Sequence, residues 1–84
     1  MRFESLKIDG ARLVWPELHQ DSRGFFARTY CAQEFAEAGI PPAVVQSSIS
    51  YNRRRGTVRG MHFQWWPSRE GKTVRCLRGR LFDV

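Results

Sequence analysis

The apolar residues of this sequence fall into short runs, and turn-forming segments separate them every 8 to 12 residues or so. The segments HQDSRG, RRRG, WPSREG and Arg78-Gly79 supply the polar, Pro and Gly residues that turns favour. Many short strands with regular turns predict a mainly β fold, either a sandwich or a closed barrel. The predicted strands are residues 11–15, 25–30, 44–52, 57–64 and 72–84.

One segment has helical character. AQEFAEAG, residues 32–39, is rich in strong helix formers, and Gly39 stands where a C-terminal cap belongs. Pro41 and Pro42 follow at once and cannot continue a helix. The sequence therefore predicts a single helix of about two turns.

The charge is concentrated in the second half. Residues 43–84 hold nine basic and two acidic side chains, whereas residues 1–42 hold five basic and six acidic ones. Twelve of the fourteen basic residues are arginine, whose planar fork suits a bidentate grip on phosphate. A nucleotide diphosphate, a nucleic acid and a membrane surface all carry phosphate groups that such arginines could bind.

Composition excludes several classes of protein. A chain with 42% hydrophobic and 26% charged residues is globular rather than disordered. No apolar run approaches the ~20 residues of a membrane span, and MRFESLKIDG lacks a signal-peptide core, so we expect a cytoplasmic protein. Spacing gives no metal-ligand pattern among Cys31, Cys76, His19 and His62, and we expect reduced cysteines and no metal.

The segment TVRGMHFQ, residues 57–64, holds the first candidate for catalysis. Alternation along a strand places His62 and Gln64 on one face and Arg59 on the other. Gly60 is a natural bulge site that could turn Arg59 toward His62. An imidazole titrates near neutral pH and suits proton transfer, although a strand histidine is more often structural.

Four separated blocks carry a family resemblance. They are DSRGFFARTY at 21–30, VVQSSISYN at 44–52, RGTVRGMHFQ at 55–64 and EGKTVRCLRGRLFDV at 70–84. In order and spacing they resemble dTDP-4-dehydrorhamnose 3,5-epimerases. The resemblance implies a double-stranded β-helix, the cupin or jelly-roll type of barrel. Residues 1–84 would form a single incomplete domain, the N-terminal part of a barrel that is a homodimer at full length.

The same resemblance implies a reaction. Members epimerise C3, and in some cases C5, of a dTDP-4-keto-6-deoxyhexose without a metal or cofactor. His62 matches the base that removes the proton beside the C4 ketone, a proton acidified by the enolate that its loss creates. Lys72 matches the lysine that stabilises the developing oxyanion; its structural alternative is a solvated strand-edge lysine.

Substrate-binding positions follow from the resemblance as well. Arg23, Arg59 and Gln46 match residues that hold the diphosphate or sugar, and Phe26 matches one near the nucleotide. A turn residue and a core phenylalanine are the structural alternatives for Arg23 and Phe26. Two positions depart from the family pattern and bear on the identity of the sugar or nucleotide: Arg28 replaces an acidic residue, and Ser48, itself a substrate-binding position, replaces asparagine.

Part of the expected machinery is missing. The family's acid, a tyrosine, and the aspartate that orients the histidine belong to the C-terminal half, and Tyr30 and Tyr51 match neither role. LFDV resembles the opening of a strand, so we expect the chain to end inside a fold. Two rival hypotheses remain: an inactive fragment or nucleotide-binding module, and a basic nucleic-acid-binding β-domain whose stacking groups would be Tyr51, Phe63, Trp65 and Trp66.

Overall fold

The computed structural model describes all 84 residues, and it divides them into two compact units, Met1–Ile49 and Ser50–Val84. Each unit is described by itself below. The regular secondary structure, two β-hairpins and one helix, lies in the first unit. No helix has the length and the apolar character that crossing a membrane would require.

The first hairpin joins strands β1 (Arg2–Ser5) and β2 (Arg12–Trp15) in antiparallel register, with Arg2 opposite Trp15. Its connection is closed by hydrogen bonds from the Leu6 amide to the Ala11 carbonyl and from the Ala11 amide to the Ile8 carbonyl, at 3.1 and 3.0 Å. The predicted strand at residues 11–15 is confirmed. Its partner β1 was not expected, because RFES lacks a recognisable alternation of apolar and polar residues.

The second hairpin joins β3 (Leu18–Asp21) and β4 (Gly24–Ala27), with Asp21 opposite Gly24. The strand predicted at 25–30 is confirmed in its first half. The turn is shorter than the predicted HQDSRG segment, since only Ser22 and Arg23 connect the strands. Two residues suffice for a hairpin turn, and the polar residues before them pair with the strand that follows.

Helix α1 (Ala32–Glu37) confirms the predicted helix and its end. Gly39 adopts a φ of 74°, a left-handed conformation that glycine reaches without steric cost. Its amide donates to the Ala36 carbonyl at 3.0 Å, and the Ile40 amide donates to the Phe35 carbonyl at 2.9 Å. This pair of bonds is a Schellman motif, and it satisfies carbonyls that the helix end leaves without intrahelical partners.

A small aromatic cluster forms the core of the first unit. Phe35, the buried apolar residue, is 3% exposed. The rings of Phe3 and Tyr30 meet it edge-on, with centroid distances of 5.4 and 5.0 Å. The Tyr30 hydroxyl donates to the carbonyl of Pro42. The cluster therefore ties β1, the helix and the segment after the helix together.

Residues 41–84 contain turns but no helix or strand. The turns and bends at 53–56, 66–67 and 78–79 fall within the predicted turn segments. The predicted strands at 44–52, 57–64 and 72–84 are wrong for this structure. A strand is held by hydrogen bonds to a neighbouring strand, and these segments pair with none.

The regular elements are thus mainly β with one short helix, as predicted. Each sheet has two strands, and neither sheet closes on itself. A closed barrel is absent from this structure.

Candidate functional site

Arg23 lies in the two-residue turn between β3 and β4, and Asp21 holds it there. The Arg23 backbone amide donates to Asp21 Oδ1 at 2.8 Å. The guanidinium donates to the same carboxylate from Nε at 3.1 Å and from Nη2 at 2.5 Å. These bonds lower the pKa of Asp21 and raise that of Arg23. The Arg23 side chain is nevertheless 88% exposed.

Phe26 lies on β4 directly opposite His19 on β3. It is 72% exposed, so its ring is available at the surface of the first unit rather than packed in a core. Phe26 borders a pocket of about 130 Å³. The pocket is lined by Met1, Glu17, His19, Phe26, Arg28 and Glu34.

Arg28, Glu34 and the α-amine of Met1 are charged groups in contact with one another at this pocket, which Glu17 also lines. Glu34 Oε1 accepts a hydrogen bond from the α-amine of Met1 at 2.7 Å, and Oε2 lies 3.8 Å from Arg28 Nη1. The hydrogen bond from the amine is the main cause of the lowered pKa of Glu34. The atom Glu34 Oε2 is buried and accepts no hydrogen bond. Arg28 therefore faces an acidic neighbour in the pocket that Phe26 borders.

Gln46 and Ser48 also belong to the first unit. Both are exposed and lie after the helix in a segment without regular structure. Their exposure leaves both polar side chains accessible to a ligand.

Arg59 belongs to the second unit and points to the chain before the RRRG turn. Its Nε donates to Asn52 Oδ1 at 2.7 Å, and its Nη2 donates to the Tyr51 carbonyl at 3.2 Å. A guanidinium has five N–H donors, so these two bonds leave donors for an anion.

His62 is exposed and lies against Gly60. Gly60 adopts a φ of 109°, and a Cβ atom at this position would come within 3.2 Å of His62 Nδ1. A side chain at residue 60 would therefore meet the imidazole and strain the backbone. Gly60 was expected on the same face as His62 and as a bulge site, whereas its close approach to the His62 ring was not expected.

Lys72 Nζ forms an ion pair with Glu70 Oε1 at 3.1 Å, and the two side chains are 57% and 49% exposed. Glu70 was not singled out, although the E-x-K spacing could have indicated it as a partner. A carboxylate at this distance competes with any other anion for the ammonium group.

Three exposed aromatic residues of the second unit contact another ring or a cation. Phe63 and Trp65 meet edge-on at 5.1 Å, and the Arg69 guanidinium lies 5.3 Å from the centre of the Trp66 ring. Cys31 and Cys76 are free thiols. The structure contains no group of three His, Cys, Asp or Glu residues that could hold a metal ion.

Comparison with known proteins identifies the protein family. The family model described as dTDP-4-dehydrorhamnose 3,5-epimerase matches residues 5–84. A dTDP-4-dehydrorhamnose 3,5-epimerase of Sinorhizobium fredii is 42% identical over 84 residues, which are 100% of this chain and 43% of that protein. One of Methanothermobacter thermautotrophicus is 41% identical over 83 residues, 99% of this chain and 44% of the relative.

A dTDP-4-dehydrorhamnose 3-epimerase of Streptomyces niveus is 42% identical over 85 residues, with 100% of this chain and 41% of the relative covered. No solved structure gives a significant match. The chain belongs to the dTDP-4-dehydrorhamnose 3,5-epimerase family, and it spans less than half the length of these curated relatives.

Proposed function

We propose that this chain provides the proton-abstracting part of an enzyme that epimerises a dTDP-4-keto-6-deoxyhexose. The observation that carries the proposal is the family match across residues 5–84, which includes Arg59, His62 and Lys72. The complete cupin-type barrel, its homodimer and a cytoplasmic location belong to the same proposal.

His62 is the proposed base. A proton on the carbon beside a ketone is removable because the electrons left behind pass to the ketone oxygen as an enolate. The exposed imidazole and the absence of a side chain at Gly60 support this role, because they leave the ring open to a substrate.

Lys72 is the proposed partner of the enolate oxygen. A fixed cation at the place where negative charge develops stabilises the transition state more than the ground state. The ion pair with Glu70 supports a defined position for the ammonium group. That pair also implies that substrate must compete with the carboxylate.

Arg23, Arg59, Phe26, Gln46 and Ser48 are the proposed substrate-binding residues. The exposed guanidinium of Arg23 and the free donors of Arg59 suit the diphosphate. The exposed ring of Phe26 offers an apolar surface to the nucleoside. The amide of Gln46 and the hydroxyl of Ser48 suit hydroxyl groups of the sugar.

C3 is the carbon that we propose is inverted. The relatives at 42% identity include both a 3,5-epimerase and a 3-epimerase, so identity alone favours neither a second inversion at C5 nor its absence. C3 is common to both names.

The test uses a chimera in which residues 1–84 replace the matching part of the Sinorhizobium fredii relative. His62→Ala should abolish exchange of the C3 proton with deuterated water, which proton NMR measures. It should leave dTDP affinity nearly unchanged, because a base acts on the transition state. His19→Ala removes the only other imidazole of the chain and serves as the matched control.

Two results would contradict the proposal. Persistent C3 exchange in His62→Ala would assign the base to another residue. A chimera that binds dTDP but never exchanges C3 would favour the second candidate, a nucleotide-binding module without catalysis.

A further inference from the structure

The turn between β3 and β4 places one carboxylate against both the backbone and the side chain of Arg23. Asp21 Oδ1 accepts from the Arg23 backbone amide at 2.8 Å, which is the local bond of an Asx turn. The same carboxylate accepts from the Arg23 guanidinium through Nε and Nη2. The carboxylate of Asp21 therefore shapes the turn and fixes the direction of the cation.

The geometry leaves one edge of the guanidinium open. A guanidinium carries five N–H donors in a planar fork. Asp21 takes the edge formed by Nε and Nη2, so the end formed by Nη1 and the second Nη2 hydrogen is not used by the carboxylate. Because the Arg23 side chain is 88% exposed, this end is accessible. It has the spacing for two parallel hydrogen bonds to a phosphate.

We propose that Asp21 is a positioning residue that presents the free end of the Arg23 guanidinium to the diphosphate of the substrate. The inference rests on the proposed function, in which Arg23 binds that diphosphate. A free arginine side chain loses rotational freedom when it binds, and a side chain already held in place loses less. Asp21 thus increases affinity for an anion although it is itself negatively charged.

The direction in which Asp21→Asn changes anion affinity distinguishes positioning from a simple effect of charge. Asp21→Asn keeps an oxygen that accepts the Arg23 backbone amide, so the turn persists, but it removes the ionic grip on the guanidinium. Loss of a negative charge beside an anion site should by Coulomb's law strengthen anion binding. Loss of positioning should weaken it.

The experiment measures dTDP affinity by NMR titration of the 84-residue chain at about 0.15 M salt, where long-range charge effects are largely screened. We expect Asp21→Asn to weaken dTDP binding about threefold, in the range of exposed ion pairs. Asp9→Asn removes the same charge from the connection of the first hairpin and should leave affinity unchanged. Unchanged or stronger binding in Asp21→Asn overturns the proposal.

Arg23→Gln makes the failure of the proposed function distinguishable. If dTDP binds and Arg23→Gln does not weaken it, Arg23 is not the diphosphate ligand, and both the assignment and this inference fail. If Arg23→Gln weakens binding while Asp21→Asn does not, the assignment stands and positioning alone is wrong.

A second measurement decides the positioning without a ligand. The heteronuclear NOE of the Arg23 Nε–H group should be high in the parent chain and fall in Asp21→Asn. Cross-strand contacts between Gln20 and Phe25, which pair in this hairpin, should persist in both proteins and show that the turn is intact. An Arg23 Nε–H group as mobile in the parent as in the variant overturns the proposal, whether or not the chain binds dTDP.

Discussion

Replacing Phe35 by alanine should remove most of the stability of the first unit. Phe35 is 3% exposed, and two other rings, those of Phe3 and Tyr30, pack on it. Truncating a buried phenylalanine costs about 3 to 5 kcal/mol, because apolar contact is lost and a cavity is left. A unit of this size, Met1–Ile49, is expected to be stable by only about 2 to 7 kcal/mol.

The assay is urea unfolding of the 84-residue chain, followed by near-ultraviolet circular dichroism. We expect the aromatic signal of Phe35→Ala to show no cooperative transition, or a strongly lowered midpoint. Phe25→Ala is the matched control, since Phe25 is 69% exposed and its loss should cost well under about 1 kcal/mol. Equal urea midpoints for the two variants would refute the assignment of Phe35 as the core.

Three further predictions concern the proposed site. In the chimera, Gly60→Ala should slow C3 exchange about tenfold or more. The positive φ strains alanine by roughly 1 to 2 kcal/mol, and the added methyl group would meet the His62 ring. Gly71→Ala is the control and should be tolerated, because a methyl group at residue 71 meets nothing within 4 Å. Lys72→Met should lower kcat of the chimera by about 10² to 10³, with Lys7→Met as control, and a rise in KM alone would make Lys72 a substrate clamp. The Asp21 carboxyl, followed by carbon-13 NMR, should titrate below its ordinary pKa of 3.8. Its ion pair with Arg23 is therefore complete above pH 3.8 and is lost as the pH falls through the lowered pKa. Arg23→Gln should return the titration midpoint of Asp21 toward 3.8.

Local chemistry explains what the sequence could predict about the fold. The end of helix α1 depends on Gly39 and on bonds within a few residues, and it forms as expected. The turns at RRRG, WPSREG and Arg78-Gly79 are equally local, and they occur even where the strands beside them do not. Strand formation depends on distant partners, so the alternation in residues 57–64 could not by itself produce a strand.

Only part of the candidate site could likewise be predicted from the sequence. The residue types of Arg23, His62 and Lys72 were recognisable from their sequence blocks. Their immediate partners depend on side-chain geometry that no motif specifies: Asp21 for Arg23, Gly60 for His62 and Glu70 for Lys72. All three partners lie two residues from the group they contact. The E-x-K spacing could have indicated Glu70, whereas the turn that brings Asp21 to Arg23 and the positive φ of Gly60 do not follow from the alternation of an extended chain.

The exposure of the proposed catalytic groups leads to a last prediction: the 84-residue chain alone should bind dTDP without inverting the sugar. Two unit charges 4 Å apart attract by about 1 kcal/mol in water and about 4 kcal/mol at an effective dielectric constant of 20. An oxyanion donor typically contributes about 2.7 to 4 kcal/mol, and screening by water and competition from Glu70 should hold the 57% exposed Lys72 below that range.

His62 is exposed as well. In the proposed reaction an acid must act on the opposite side of the sugar, and the family resemblance assigns that role to neither Tyr30 nor Tyr51. Slow deuterium incorporation at C3 is compatible with this state, because a base and water suffice for it. The measurement is proton NMR of the 4-keto nucleotide sugar incubated with residues 1–84 and, separately, with the chimera. Inversion by the 84 residues at rates of about 1 to 10³ per second, typical of enzymes, would show that Lys72 and His62 work without enclosure and that the chain carries its own acid.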